Sequence, residues 1–320
     1  MAATAPTWTV ADVPPLDGAT AVVTGANSGI GFPVARELAR AGATTVLAVR
    51  DPGRGAAARD RILAAAPGAS VAVVRLDLAE LASVRRAAAE ILDRHPRIDV
   101  LVDNAGVMAT PRRITADGFE LQLATNHLGH FALTGLLLPA LSAAPSARVV
   151  TVTSYYARRG RVELSDLDRE RRYRPFDAYA QSKLANLLFA VELDRRARAA
   201  GLPLASVAAH PGWAATNLQT AGPRMAGSKS RERGARLLNR WLAQSDEDGA
   251  LPTLRAAVDP DVQGGEFYGP GGAFGIRGAP VRIDVYPGAR DPRLAADLWA
   301  VSEQRTGVTY DLPTAGPLRR

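Results

Sequence analysis

The stretch that decides the fold is ATAVVTGANSGIGFPVARELARAG, at residues 19–42. An apolar, β-branched run leads into a glycine-rich turn and then into apolar residues at helical spacing, which predicts a buried strand followed by a helix. Gly25 allows a tight turn, and Gly29 and Gly31 let backbone N–H groups and the helix N-terminus approach a phosphate. The stretch therefore predicts a dinucleotide-binding turn. Its remaining members are Asn27, Ser28 and Ile30.

The first two hundred residues continue this alternation of strand and helix. Apolar, β-branched runs predict strands at 20–24, 44–49, 71–76, 100–102, 149–153 and 204–209. Apolar residues at helical spacing predict helices at 30–41, 55–66, 81–94, 119–143 and 178–200. Such alternation forms βαβ units, and continuous apolar runs are typical of parallel strands that are buried on both faces. The predicted fold class is therefore α/β, a doubly wound, Rossmann-type parallel sheet with helices on both faces.

A single domain is the simplest account of the chain. We expect it at 19–310, after an N-terminal extension at 1–18 and before a tail at 311–320. The segment 215–280 is Arg-rich at first and Gly-rich at its end, and we interpret it as an elaboration that covers one end of the sheet. The elements expected there and beyond are a helix at 219–245, a short strand at 266–268 and a last helix at 292–304.

The composition argues against several classes of protein. A formal charge of +7 would suit nucleic acid, but aromatic residues make up only 6% and acidic residues interrupt the Arg-rich patches, so no nucleic-acid partner is expected. No apolar run reaches the length of a membrane span and the N-terminus lacks a secretory pattern, so we expect a cytoplasmic protein. Cysteine is absent and the four His are scattered, so no metal site is expected.

A second informative stretch, DAYAQSKLANLLF at 177–189, places Tyr179 and Lys183 four residues apart. In a helix this spacing puts both side chains on one face, and a nearby ammonium lowers the pKa of a phenol. A phenol with such a pKa is a usable acid and base. Only two of the 39 basic side chains are Lys, Lys183 and Lys229, so a Lys here stands out. The pair predicts proton transfer, and the alternative is a solvated helix face.

The end of the second predicted strand, TTVLAVR at 44–50, indicates the cofactor preference. An acidic residue at this point binds the ribose hydroxyl of NAD, whereas Arg nearby accommodates the additional phosphate of NADP. Val49 stands where the acid would be expected and Arg50 follows it, while Asp51 comes one residue too late and lies in a turn. A guanidinium matches the geometry of a phosphate. We therefore expect NADP(H) rather than NAD(H); the alternative for Arg50 is a solvated residue at a strand end.

Three motifs stand in register along the chain: TGANSGIG at 24–31, DNAG at 103–106 and YAQSK at 179–183. With them, the chain resembles the short-chain dehydrogenase/reductase family over nearly its whole length. The likeness is greatest to the retinol-dehydrogenase-like branch and its bacterial relatives. That finer likeness lies in AVRDPGRG at 48–55, TNHLGHFALT at 125–134, HPGWAATNL at 210–218 and GGEFYGPGG at 264–272. The chain departs from the usual NNAG at Asp103, a position expected to be structural.

The resemblance implies a role for each matching residue. Tyr179 would be the general acid in reduction and the base in oxidation, and Lys183 would bind the nicotinamide ribose and lower the pKa of Tyr179. Ser154 would hydrogen-bond the substrate oxygen, and Asn126 would help to hold a water relay that returns the proton. The cofactor would also contact Asp77, Leu78, Asn104, Ala105, Gly106, Pro211, Gly212, Trp213 and Thr216.

The sequence pattern is least informative for the residues that bind the substrate. The candidates to line the pocket are Met108, Tyr155, Tyr156, Phe176 and Trp213, each with core packing as the alternative. The resemblance implies that the segment 215–280 covers the substrate cleft. Its part at 215–250 is amphipathic, and an amphipathic cover predicts a bulky, apolar ketone or alcohol.

The resulting prediction is an enzyme, an NADP(H)-dependent oxidoreductase of the ketoreductase or alcohol dehydrogenase type. Two alternatives remain open: an epimerase or dehydratase that uses the same Tyr–Lys pair and cofactor, and a non-catalytic NADP-binding scaffold. Members of the family commonly pair the two long helices that correspond to 119–143 and 178–200, so a homodimer or homotetramer is expected.

Overall fold

A computed structural model describes residues 7–212, 245–272 and 275–312 of the chain. The described residues form one eight-stranded sheet in the order β3-β2-β1-β4-β5-β6-β7-β8. The strands are β1 (Thr20–Thr24), β2 (Thr44–Val49), β3 (Val71–Arg75), β4 (Val100–Asp103), β5 (Ala147–Val152), β6 (Leu204–Ala209), β7 (Phe267–Pro270) and β8 (Pro280–Ile283). The strand order reverses between β1 and β4, as in a doubly wound sheet. The predicted fold class is confirmed.

Helices cover both faces of this sheet. They are α1 (Gly31–Arg40), α2 (Pro52–Ala65), α3 (Leu81–Arg94), α4 (Leu121–Leu123), α5 (Gly129–Ser142), α6 (Pro175–Ala199), α7 (Asp246–Val258) and α8 (Pro292–Thr306). Apolar residues of α1, α2 and α7 pack on one face, and those of α3, α5 and α6 pack on the other. The continuous apolar strands are therefore buried on both sides, which is why they lack an alternating pattern.

Most predicted boundaries agree with the structure to within one to three residues. Both α2 and α6 begin three residues earlier than predicted, at Pro52 and Pro175, because proline is well suited to the first turn of a helix. The single helix predicted at 119–143 is divided, because a π-helical turn at Ala124–Leu128 separates α4 from α5. This turn contains Asn126, one of the predicted catalytic residues.

The carboxyl-terminal third differs from the sequence-based expectation. The sheet is not parallel throughout, because β8 runs antiparallel to β7 after a connection too short for a crossover. Helix α7 was missed, although Ser245 caps it and three acidic residues occupy its first turn. The strand predicted at 266–268 is found as β7. The helix predicted at 219–245 lies outside the described residues, except for its last position.

Both ends of the described chain pack on the sheet. Trp8, within the predicted N-terminal extension, is buried in the apolar layer under α1. Trp299 of α8 is buried in the opposite layer, where it lies against Phe131 of α5 and Phe189 of α6. Among the described helices, none is both long enough and apolar enough to cross a membrane.

Candidate active site

A cleft of about 320 Å³ opens at the carboxyl ends of the central strands. Ligands of doubly wound sheets bind at this edge, where the strand order reverses. The structure brings most of the predicted site residues together here. Those that line the cleft are Gly25, Asn27, Ser28, Gly29, Ile30, Arg50, Asp77, Leu78, Asn104, Ala105, Gly106, Tyr179, Lys183 and Pro211.

The glycine turn between β1 and α1 forms the floor of the cleft. Gly25 and Gly29 have positive φ angles, 67° and 57°, which only glycine adopts easily. Gly31 is required for another reason, since a Cβ there would lie 2.8 Å from the carbonyl oxygen of Gly25. The Asn104 side-chain amide donates to the Thr24 carbonyl at 2.8 Å and so ties the loop after β4 to the end of β1. The turn and the loop are thus held as one cradle.

The outer end of the cleft is basic. Arg50, which follows β2, and Arg54, in the first turn of α2, both line it. Asp51 accepts a hydrogen bond from the Arg54 backbone N–H at 3.1 Å, so its carboxylate caps α2. Sequence analysis missed Arg54, although the spacing of four residues from Arg50 across a helix start was a usable signal.

Asp77 and Leu78 lie in the loop after β3. Asp77 accepts a hydrogen bond from the Ala79 N–H at 3.0 Å, and its own N–H donates to Ser83 at the same distance. Gly129 of α5 lies so close that a Cβ there would be 2.9 Å from the Leu78 side chain. These contacts hold the loop against the cleft.

The three residues expected to perform the chemistry come from two elements. Ser154 follows β5 and caps a short 3₁₀ turn at Tyr155–Arg159, while Tyr179 and Lys183 lie on α6. Burial raises the pKa of Tyr179 to about 12, and a hydrogen bond with Ser154 partly opposes this shift. The Ser154 hydroxyl therefore lies close to the Tyr179 phenol, and Tyr179 lines the cleft.

Lys183 is buried beside this pair. Its ammonium donates to the Val152 carbonyl at 2.9 Å, and burial lowers its pKa to about 8. Lys183 is not among the groups that shift the pKa of Tyr179. In the polypeptide alone, desolvation acts against the charged forms of both Tyr179 and Lys183.

Asn126 acts as a clamp in the described structure. Its side-chain oxygen accepts from the Val107 N–H at 2.8 Å, and its amide donates to the Val107 carbonyl and to Ser182, each at 2.9 Å. These bonds join the loop after β4 to α6. Both N–H donors of the side chain are thus used, and its oxygen, which accepts one hydrogen bond here, has a second lone pair for a water of the relay suggested by the resemblance.

Asn186, which sequence analysis missed, supports Lys183. Its amide donates at 3.1 Å to the same Val152 carbonyl that accepts from the Lys183 ammonium. Asn186 lies three residues after Lys183 on α6, and this helical spacing was the available signal. His127 and His130, interpreted as packing residues, are buried, and burial lowers the pKa of each to about 3.

The predicted substrate-lining residues divide into two groups. The Tyr156 ring lies 5.9 Å from that of Tyr179 and stacks on Phe176 at 5.7 Å, and Phe176 is 51% exposed. These three rings form a continuous row from the exposed Phe176 to Tyr179. Met108 lies half-buried in the loop after β4, next to Val107, which lines the cleft.

Tyr155 points to a different cluster. Its hydroxyl accepts a hydrogen bond from Arg158 at 2.7 Å, and the Arg158 guanidinium lies over Tyr155 and Tyr286. His210 lies near both Tyr155 and Tyr286, with ring centroids 6.5 and 6.3 Å away. Gly212 donates from its N–H to His210, which fixes the start of the segment after β6. Trp213 and Thr216 lie outside the described residues.

Asp103, the departure from the family motif, is fully buried under the cleft. One carboxyl oxygen accepts from Thr134 at 2.9 Å. Burial raises the pKa of Asp103 to about 8, with the Thr134 hydrogen bond acting against the shift. The carboxyl group is therefore protonated at neutral pH, when it resembles Asn in carrying no charge. Across the described residues, no group of three or more His, Cys, Asp or Glu is arranged to hold a metal ion.

Comparison with known proteins agrees with this geometry. The family model for short chain dehydrogenases matches residues 19–225. Retinol dehydrogenase 13 from Homo sapiens is 39% identical over 311 residues, which cover 95% of this chain and 89% of the relative. The similarity extends well past the cofactor-binding half.

Two solved structures are similar as well. An uncharacterized protein from Mycobacterium Paratuberculosis is 46% identical, with a TM-score of 0.77 over 96% of this chain and all of that chain. A protein assigned as an NAD(P)-dependent gluconate 5-dehydrogenase from Beutenbergia cavernae, solved with bound NADP, is 31% identical. Its TM-score is 0.56, over 76% of this chain and 91% of that chain.

Proposed function

Because the chain belongs to the short-chain dehydrogenase family, an oxidoreductase family, we propose that it is an NADP(H)-dependent enzyme that interconverts a carbonyl group and a secondary alcohol on a bulky, apolar substrate. One observation carries the proposal. A single cleft is lined along its floor by the glycine turn and at its inner end by Tyr179 and Lys183. A dinucleotide bound along the turn would therefore extend to the proton-transfer group.

When bound, the cofactor supplies or accepts the hydride, and the residues of the chain handle the proton. In reduction, the Ser154 hydroxyl donates a hydrogen bond to the substrate oxygen and Tyr179 transfers its proton to that oxygen. The raised pKa of Tyr179 keeps the phenol protonated until charge develops on the oxygen. The Lys183 ammonium, held by the Val152 carbonyl, would bind the nicotinamide ribose and stabilise the phenolate that remains.

The preference for NADP(H) is supported by the basic end of the cleft. Arg50 and Arg54 present two guanidinium groups there, and Asp51, the nearest acid in sequence, is committed to capping α2. Guanidinium groups bind a phosphate through charge-assisted, bidentate hydrogen bonds. The NADP bound in the Beutenbergia cavernae relative agrees with this preference.

The apolar substrate is supported by the aromatic row from Phe176 to Tyr179. Phe176 and Tyr156 would offer ring faces to an entering substrate, and a bulky ring or chain loses water on contact with them. Retinol, which is named in the sequence relative, is such a molecule. Small polar carbonyls would gain little from this surface.

A substrate panel tests the proposal. Bulky apolar ketones and aldehydes should be reduced with NADPH at a higher kcat/KM than small polar carbonyls, and NADH should be the poorer cofactor. The Tyr179→Phe variant provides the inactive control. If the highest kcat/KM were found for small polar carbonyls, the proposed class of bulky, apolar substrates would be wrong. Conversion of a substrate without net consumption of NADPH would instead favour the epimerase or dehydratase alternative.

A further inference from the structure

His130, in the first turn of α5, is a buried histidine that the proton-transfer scheme leaves unused. Both nitrogens of its ring lie within hydrogen-bonding distance of a residue of the site. Nδ1 lies 2.9 Å from the backbone carbonyl oxygen of Asn126, and Nε2 lies 2.9 Å from the hydroxyl oxygen of Thr24. Thr24 is the last residue of β1, directly before the glycine turn. The ring therefore links the π-helical turn that carries Asn126 to the strand that leads into the cofactor cradle.

The two partners determine which ring nitrogen carries the proton. A carbonyl oxygen can only accept, so Nδ1 carries a hydrogen and donates it to the Asn126 carbonyl. Burial lowers the pKa of His130 to about 3, so at neutral pH the ring is uncharged and holds a single proton. Nε2 is therefore an acceptor, and the Thr24 hydroxyl donates to it.

This direction of the Thr24 hydroxyl leaves its oxygen free to accept from the loop after β4. The backbone N–H groups of Asn104 and Ala105 both donate to that oxygen, each at 2.9 Å. A second acceptor for the hydroxyl, the Val102 carbonyl, lies farther away at 3.3 Å and already accepts from the Asn104 N–H at 3.0 Å. The His130 ring is thus the better acceptor, and its tautomer fixes how Thr24 holds the loop.

The loop after β4 is held at two points, and His130 bonds to the residue responsible for each. Thr24 holds its start at Asn104 and Ala105, and the side chain of Asn126 holds Val107 through its N–H and its carbonyl. The backbone between these points lines the cleft. It is also tightly enclosed, since a Cβ at Gly106 would lie 3.0 Å from the side-chain oxygen of Asn126. The shape of this wall of the cleft therefore depends on both holding residues.

From these contacts we propose that His130 is a positioning residue whose Nδ1–H tautomer, acting through Thr24, holds the loop after β4 in the shape that binds the dinucleotide. The ring itself is not among the residues that line the cleft. A loop that is ordered before the cofactor arrives loses less freedom on binding, which strengthens affinity. The inference rests on the proposed function only in that a dinucleotide occupies the cleft. The substrate and the direction of the reaction play no part in it.

The tautomer can be measured on the unaltered chain. NMR spectroscopy of isotope-labelled imidazole nitrogens distinguishes a nitrogen that carries hydrogen from one that does not, and the chain has only four His to assign. His130 should be neutral and protonated on Nδ1 at neutral pH. A ring protonated on Nε2, or an imidazolium, would overturn the proposal. The measurement needs no bound cofactor, so a chain that failed to bind NADPH would contradict the proposed function without affecting this result.

A double-mutant cycle tests whether His130 acts through Thr24. His130→Phe keeps a planar ring and removes both nitrogen contacts, and fluorescence titration should show NADPH binding weakened by about tenfold, the upper range for one buried hydrogen bond. In a Thr24→Val background, where the hydroxyl is already absent, the same substitution should weaken binding by about twofold or less. An equal loss in the two backgrounds would show that the ring does not act through Thr24.

Tyr310→Phe is the matched control for a purely structural effect. It removes a buried hydrogen bond of 2.7 Å to the carbonyl of Phe131, the residue after His130, and Tyr310 does not line the cleft. This variant should lower the melting temperature and leave the affinity for NADPH unchanged. A His130→Phe protein that behaves in the same way would refute the positioning role.

If His130→Phe does not fold, the tautomer and a pair of Thr24 variants still decide the matter. Thr24→Ser keeps the hydroxyl and should retain most of the NADPH affinity that Thr24→Val loses. Equal affinities of the two variants would show that the hydroxyl does not hold the loop, and the proposal would be wrong.

Discussion

At the level of single residues, the sequence predicts a cofactor contact for only one of the two arginines at the outer end of the cleft. Arg50 follows β2 directly, where dinucleotide folds select between cofactors. Arg54 reaches the same place because α2 begins at Pro52 and turns its first residues toward the cleft. Arg54 is 77% exposed and lies 3.6 Å from Asp51, so its guanidinium is loosely held and free to move onto a phosphate.

The Arg50→Ala variant should bind NADPH much more weakly than NADH, relative to the unaltered protein. The loss should be about 1.5–3 kcal/mol for NADPH, the range for a hydrogen bond to a charged group. Arg54→Ala should show a smaller loss of the same kind, because its side chain is 77% exposed and must become ordered when it binds the phosphate. Fluorescence titration with both cofactors measures this. Arg59→Ala, an exposed arginine of α2 that pairs with Asp60 outside the cleft, is the control. Equal losses for the two cofactors would show that neither arginine recognises the phosphate.

The Tyr179→Phe variant should lose nearly all turnover and keep its affinity for NADPH. Only the hydroxyl is removed, and the ring stays packed against Tyr156. Single-turnover kinetics and cofactor titration separate the two effects. Tyr156→Phe is the control, because it removes a neighbouring phenol with no assigned proton transfer. Turnover of the Tyr179 variant within about tenfold of the unaltered protein would refute general acid catalysis by this residue.

Asp103 should make stability depend on pH. The unfolded carboxyl group titrates near its ordinary pKa of 3.8, whereas burial raises the pKa to about 8 in the folded chain. Between these values the folded chain holds a proton that the unfolded chain has released, so the contribution of Asp103 to stability falls as pH rises. It is constant below the lower value and again above the higher one.

Asp103→Asn should therefore gain stability over the unaltered chain, by an amount that grows with pH between about 4 and 8, at up to roughly 1.4 kcal/mol per pH unit. Urea unfolding at a series of pH values measures this difference. Asp297→Asn, on the exposed side of α8, should show a difference that does not change with pH. A flat difference for Asp103→Asn as well would mean that the buried carboxyl group is ionised in the folded chain.

At the level of elements, the cleft is shaped by how closely β1, α1 and the loop after β4 approach one another. A Cβ at Gly25 would lie 3.0 Å from the Ala105 side chain, so only glycine leaves room for it there. The Asn104 side-chain amide donates to the carbonyl at the end of β1. The backbone N–H groups at the start of α1 then face the cleft, where the helix dipole favours a phosphate. The cofactor site is therefore a property of three packed elements rather than of the glycine turn alone.

Gly31→Ala should weaken NADPH binding and lower the melting temperature. The added methyl would lie 2.8 Å from the Gly25 carbonyl oxygen and would also collide with the Asn104 amide. Such overpacking costs about 1–3 kcal/mol. Gly53→Ala in α2 is the control, since a Cβ there meets only the Asp51 carboxylate, at 3.3 Å. Thermal unfolding and cofactor titration report the two effects. An unchanged cofactor affinity in Gly31→Ala would show that the turn accommodates a methyl group at this position without a change in the cofactor site.

At the level of the whole molecule, the two ends of the described chain are part of one cooperative structure. Trp8 packs under α1 on one face of the sheet, and Trp299 packs over α5 and α6 on the other. Each end buries a large aromatic ring against the long-range core, so neither should unfold separately. This view extends the expected domain, 19–310, to include part of the segment before it.

In variants that retain only Trp8 or only Trp299, the tryptophan fluorescence should change in urea at the same midpoint as the far-UV circular dichroism signal. Coincident transitions are the signature of two-state unfolding. The other tryptophans are replaced by Phe in each variant, so each fluorescence signal reports one end of the chain. A Trp299 transition at distinctly lower urea would show that α8 detaches before the sheet unfolds.

The sequence by itself determined the parallel part of the sheet and the inner half of the site. Buried parallel strands need continuous apolar runs, and the glycine turn and the Tyr179–Lys183 spacing are local patterns that allow few alternative conformations. For this reason β1, β2, β6 and α3 lie at the predicted residues. The positions of Ser154 and Asn104 followed from their motifs in register with these elements.

Only the tertiary structure decided which features act together. Arg54 reaches the cleft through the start of α2, and Asn186 shares the Val152 carbonyl with Lys183 through the packing of α6 on β5. The raised pKa of Tyr179 depends on burial, which no local pattern encodes. Helix α8 packs on α5 and α6 because Trp299 and Phe131, far apart along the chain, meet in one aromatic cluster. Contacts of this kind depend on the final fold, since the residues that make them are brought together only when the chain has packed.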